Sequence, residues 1–134
     1  MFKIKTKVRM KDTDMAGVIY FSQQFCYVHE AVEEFFEKKI GLSFNTLFHN
    51  NPFVFVIAHC EANYLAPLKV GDVIEVMLFI EKIGTTSLSL SFELKRENQK
   101  VGDAKTVHVC LDSQTRKKTP LPEDFKKLLL DSMK

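Results

Sequence analysis

Between residues 20 and 40 the apolar side chains stop alternating and step by four, three, four and three: Phe21, Phe25, Val28, Val32 and Phe35. That spacing puts them on one stripe of a single long helix. Gln23, Glu30, Glu33 and Glu37 sit largely off the stripe, and Gly41 stands where the helix should stop. The rest of the chain is mostly written in period two. Ahead of the helix, Phe2, Ile4, Thr6 and Val8 alternate with Lys3, Lys5, Lys7 and Arg9, a strand with one wet face. Behind it, residues 53–65 form a β-rich run stopped by Pro67, with a turn at 69–72 and a strand over 73–81. Ile83 and Gly84 turn the chain into Leu88, Leu90, Phe92 and Leu94, which alternate with Ser87, Ser89, Ser91 and Glu93. Glu97 and Asn98 make a hairpin turn, and 101–112 is the last strand, with Val107, Val109 and Leu111 on one face. Residues 43–51 read as irregular or as a short helical turn. Pro120 and Pro122 precede a short helix carrying Phe125, Leu128, Leu129 and Met133.

Strand, long helix and four further strands joined by short links give an α+β layer pair: a largely antiparallel sheet with one face covered by one helix. The 134 residues suit one such domain over 1–134, with a core rich in the chain's 12 phenylalanines and lacking tryptophan. Such a sheet has open edges, and apolar open edges call for a partner. A homodimer or homotetramer is therefore expected.

Charge excludes several classes. With 19 basic and 17 acidic residues the net charge is +2, and the lysines are scattered apart from Arg116, Lys117 and Lys118, so no nucleic-acid partner is expected. No 18-residue apolar run predicts a membrane span, and the N-terminus alternates instead of carrying a signal-peptide apolar region. Cys26, Cys60 and Cys110 are an odd set without pair spacing. They read as buried small hydrophobes of a protein in a reducing, cytoplasmic compartment, with neither a zinc site nor any other metal or cofactor expected.

The chemistry concentrates in "DTDMAGVIYF", residues 12–21, between the first strand and the helix. An acid there can serve as a helix cap or as a reacting carboxylate. This corner, followed by "HEA" on the helix, resembles the acyl-CoA thioesterases of the 4-hydroxybenzoyl-CoA thioesterase family. "YLAPLKVGDVIEV" at 64–76 resembles the family's sheet segment more loosely, and the likeness runs over nearly the whole chain. The resemblance implies a hotdog fold, an antiparallel sheet wrapped around one long helix, with dimers formed edge to edge. It implies hydrolysis of an acyl-CoA thioester to a free acid and CoA. It assigns Asp14, the second acid of the pair, as nucleophile or general base. A backbone amide at the position of Phe21 would polarise the carbonyl, with Gly17 letting the backbone come close. Some relatives carry a histidine that assists hydrolysis where this chain has Phe21, so no side-chain acid is expected there.

Other residues carry weaker expectations. Asp12 reads as a loop-stabilising or capping acid. Tyr20 is a pocket candidate. His59, inside a strand, reads as a core or interface histidine with the pocket as its alternative. Glu30 lies about ten residues past the helix start, roughly 15 Å along the axis, too far to share a carbonyl with Asp14. His108 alternates with Val107 and Val109 and is expected at the surface or an interface. Arg96, Lys100, Arg116, Lys117 and Lys118 could meet CoA phosphates but mostly read as solvated. The rivals to a thioesterase are a non-catalytic acyl or CoA binding module and a hotdog dehydratase, which needs a histidine close to the acid.

Overall fold

The structure, a computed structural model, describes residues 1–41 and 52–133. The expectation for residues 43–51 lies outside the described residues. Among the described residues five strands form one sheet: β1 (Phe2–Lys7), β2 (Phe53–Tyr64), β3 (Val73–Ile83), β4 (Ser87–Arg96) and β5 (Gln99–Asp112). Their spatial order is β1-β3-β4-β5-β2, and every neighbouring pair is antiparallel. Glu97 and Asn98, both with positive φ (52° and 67°), make the two-residue turn from β4 into β5.

Helix α1 (Gln23–Phe35) packs on one face of this sheet and continues into a π turn over Phe36–Ile40. Gly41, at φ 81°, closes it in the left-handed conformation, its N–H donating to the Phe36 carbonyl. The face under α1 is supplied by Leu88, Leu90, Phe92 and Leu94 of β4 and Ile74, Val76 and Leu78 of β3, all buried. Each such side chain contributes about 1.5–3 kcal/mol. Helix α2 (Glu123–Ser132) is fastened by an aromatic cluster, with the Phe125 ring 5.4 Å from Phe55 and 5.8 Å from Phe36.

Three expectations are corrected. The helix starts at Gln23, not at residue 20, and its buried stripe is Gln24, Tyr27, Val28, Ala31, Val32 and Phe35. Residues 12–20 are held outside the helix by other bonds: Tyr20 N–H to Asp12 O (3.0 Å), Asp14 N–H to Val18 O (2.9 Å) and Ile19 N–H to Leu68 O (3.0 Å). Phe21 is thereby left 73% exposed.

His108 is the second correction. It is buried on the helix side of β5, where Thr106 Oγ1 and His108 Nε2 lie 2.9 Å apart and satisfy each other. The third concerns the cysteines. Only Cys110 is buried, its thiol pushed up to about 11 by that burial, while Cys26 and Cys60 are exposed. Cys60 lies on β2, which among the described residues has a strand neighbour only on the β5 side.

Candidate active site

The loop ahead of α1 is built by its two acids in different ways. Asp12 is buried, and its Oδ2 accepts the Arg9 N–H at 3.0 Å and the Tyr27 hydroxyl at 3.0 Å. Burial, and then this contact with Asp12, raise the Tyr27 phenol well above its ordinary value, so it stays a donor. Asp12 therefore ties the loop to α1. Tyr27 was missed from the sequence, although its place beside Val28 and Ala31 on the buried face was the available signal.

Asp14 is exposed and turned the other way. Its Oδ1 accepts the Ala16 N–H at 2.8 Å, its carbonyl accepts Gly17 N–H at 3.0 Å, and Gly17 takes φ 80°, where a Cβ would be strained. The loop thus closes on itself, and Asp14 Oδ2 has no partner among the described residues. Asp14 does not cap α1. The N-cap position is Ser22, which makes no side-chain cap bond, and the first turn holds no acid. The amide N–H groups of Phe21 and Ser22 donate to no described residue. A helix start of this kind carries partial positive charge and open donors.

Asp14, Tyr20 and Phe21 line one cavity of about 590 Å³, closed on its far side by Tyr64 to Leu68. Asp14 is the one charged side chain among its described lining residues. The opposing wall is fixed from behind. Arg96 Nη1 donates to the Pro67 carbonyl (2.9 Å) and to Asp72 Oδ2 (2.7 Å), which also accepts the Lys69 N–H (2.9 Å). Partial burial works against the Asp72 charge, but the Lys69 amide and the Arg96 guanidinium together hold its carboxyl below the usual range. Tyr64, at the end of β2, donates its hydroxyl to the Phe21 carbonyl.

Not every sequence candidate arrives here. His59 does not line this cavity; it is exposed on β2 with Nε2 3.1 Å from Glu61 Oε1. Glu30 is exposed on α1 and does not line it either. Of the basic residues, Arg96 is engaged in the wall, Lys100 pairs with Asp103 at 3.1 Å, and Arg116, Lys117 and Lys118 are exposed beyond β5. Among the described residues no cluster of His, Cys, Asp or Glu could hold a metal ion, and no helix is long and apolar enough to cross a membrane.

The chain is similar to known proteins over most of its length. The family model described as the thioesterase-like superfamily matches residues 8–129. A 1,4-dihydroxy-2-naphthoyl-CoA hydrolase of Prochlorococcus marinus (strain NATL2A) is 36% identical, covering 96% of this chain and 87% of its own. The enzyme of the same name from Synechococcus elongatus is 35% identical over 91% of this chain and 90% of its own. The crystal structure of a 1,4-dihydroxy-2-naphthoyl-CoA thioesterase from Synechocystis superposes with a TM-score of 0.90 at 30% identity, covering 97% of this chain and 96% of that one.

Proposed function

The chain belongs to the thioesterase-like superfamily and is an acyl-CoA thioesterase of the hotdog fold, and from that premise we propose that Asp14 and the open start of α1 carry out the hydrolysis. The observation that carries this reading is that Asp14 and Phe21 line one cavity: a carboxylate with a free oxygen, and the start of α1, where the Phe21 amide and the next one, Ser22, donate to no described residue. A thioester carbonyl oxygen set against those amides is polarised, and the negative charge that develops on it falls where the donors already point. Gly17 holds the turn that delivers Asp14. As general base, Asp14 takes a proton from water as its oxygen bonds to the carbonyl carbon, and returns it to the sulfur as the C–S bond breaks. As nucleophile, it forms a mixed anhydride, expels the CoA thiolate and is freed by water. Single turnover in ¹⁸O-water separates the two routes, since only the anhydride route can leave label in Asp14.

The proposed substrate is 1,4-dihydroxy-2-naphthoyl-CoA. The named activity of the relatives supports it, and so does a cavity walled by the rings of Tyr20, Phe21 and Tyr64, which suit an aromatic acyl group. A panel of aromatic and fatty acyl-CoA thioesters, with thiol release followed by a colour reagent, tests this. The naphthoyl thioester is expected to give the highest kcat/KM; a long-chain fatty acyl-CoA leading the panel would overturn the assignment.

The assembly proposed is a homodimer joined along β2, with a tetramer built from two such pairs as its extension. The two sheet edges differ. β1 is six residues long and presents Lys3, Lys5 and Lys7, a blunted edge, whereas β2 is 12 residues long with Val56 and Ile57 exposed.

A further inference from the structure

The Phe21 and Ser22 amides, on which the proposed hydrolysis depends, sit in a turn that packing alone does not hold. Phe21 is largely exposed, Ser22 makes no capping bond, and the helix proper begins only at Gln23. Something must nevertheless fix the direction of two N–H groups to within a few tenths of an ångström if they are to serve a developing oxyanion.

Two successive carbonyls on the other side of this turn are tied. The Tyr20 carbonyl accepts the Gln23 N–H at 2.9 Å, and the Phe21 carbonyl accepts the Tyr64 hydroxyl. A trans peptide is planar, and its C=O and N–H point opposite ways. Tying the Tyr20 carbonyl therefore sets the Phe21 N–H, and tying the Phe21 carbonyl sets the Ser22 N–H. The first tie is internal to the turn. The second reaches across the cavity to another element, Tyr64 at the end of β2.

The same turn has a second strap three residues further on. Gln24 is 1% exposed and its Nε2 donates to the carbonyls of Asn63 (3.1 Å) and Asp103 (2.9 Å). Gln24 thus locks the first turn of α1 to the end of β2 and to β5, and Tyr64 reaches Phe21, three residues earlier, from the same end of β2. Partial burial raises the Tyr64 phenol above its ordinary value, so the hydroxyl is a donor at neutral pH.

We propose that Tyr64 is a positioning residue for the hydrolysis: its hydroxyl, held by the Phe21 carbonyl, aims the first amides of α1 at the thioester oxygen. The inference rests on the reading of those amides given above. It treats the hydroxyl as spent on the backbone, not offered to the acyl group, and this distinguishes it from a substrate contact.

The test is Tyr64→Phe in the full chain, which keeps the ring and removes only the donor, beside Asp14→Asn. With 1,4-dihydroxy-2-naphthoyl-CoA as the probe, Tyr64→Phe is expected to lower kcat about 10- to 100-fold, the scale of a misplaced or lost oxyanion donor, with KM within about threefold. Unchanged kcat in Tyr64→Phe, with Asp14→Asn inactive, overturns the positioning role while leaving the site intact. A KM raised about tenfold at unchanged kcat also overturns it, because the hydroxyl would then be binding substrate. Full turnover in Asp14→Asn overturns the underlying site and this inference with it.

Discussion

Asp12 and Asp14 stand two residues apart, and each is shaped by what the other lacks. The carboxylate of Asp12 is buried against Arg9 N–H and the Tyr27 hydroxyl; that of Asp14 uses one oxygen within its own turn and leaves the other free. Asp12→Asn removes a charged acceptor from a buried pair and is expected to cost about 1–3 kcal/mol of stability, read as a lower Tm, with turnover retained within several-fold. One titration belongs to this scale. Burial, and then the neighbouring His29, lower the His108 imidazole from the ordinary 6.5 to about 4. The unfolded chain then binds this proton more readily than the folded one. The contribution of neutral His108 is complete above about pH 6.5 and is lost as the pH falls toward 4, on the order of 3 kcal/mol in all. Chemical denaturation at pH 7 and pH 5 should show about half of this loss, and His108→Gln should flatten it. A slope that survives in His108→Gln would place its source elsewhere. The local pattern left cap and reacting carboxylate open for both acids; it was the family resemblance that set Asp14 apart from Asp12. The sequence did not show that His108 is buried, since alternation reports which residues share a face but not which face is covered.

At the scale of elements, the strands were legible because their period is two and their turns carry the residues that turns need. The alternation of Leu88 to Leu94 is the buried face of β4, and the Glu97–Asn98 turn is the one found. The start of α1 was not legible. Phe21 fits the helical stripe by spacing, but backbone bonds from Asp12, Val18 and Leu68 claim the chain up to residue 20, and such cross-chain bonds leave no mark in a local pattern. Nor did a glutamine announce itself as a core residue; Gln24 is buried because two strand carbonyls receive it. Gly102 makes the space for it, since a Cβ there would lie 2.8 Å from Gln24 Oε1 and 3.0 Å from the Asn63 carbonyl. Gly102→Ala should therefore cost about 1–3 kcal/mol as an overpacked site. Thermal unfolding checks this, and a Tm equal to that of the parent chain would show that Gln24 is free to move aside.

At the scale of the molecule, the α+β layering followed from the order of elements, and the family from a ten-residue corner whose acids, glycine and aromatics keep both type and spacing. The sheet's two unlike edges could not be read in advance, because strand order depends on which strands pair across the chain. Once the order is known, the free side of β2 stands out, and the proposed dimer has a direct consequence. Ile57 is 48% exposed in the single chain, so Ile57→Lys should leave the fold intact. Sedimentation of the parent chain should show a species of twice 15.5 kDa or larger, and Ile57→Lys should shift it toward the monomer. A parent chain that sediments as a monomer would remove β2 as an interface.

The central claim is that a free carboxylate at Asp14 works on a thioester held by the open amides of α1. The most direct measurement is kcat for thiol release from 1,4-dihydroxy-2-naphthoyl-CoA by the parent chain and by Asp14→Asn, compared at matched Tm. Asparagine keeps the shape and the Ala16 acceptor but loses the charge. The account predicts a fall of roughly 10²- to 10⁴-fold, more if Asp14 is the nucleophile, with the fold unchanged. Turnover within a few-fold of the parent would contradict it and place the reacting carboxylate elsewhere, with Glu30 on α1 the next residue to replace.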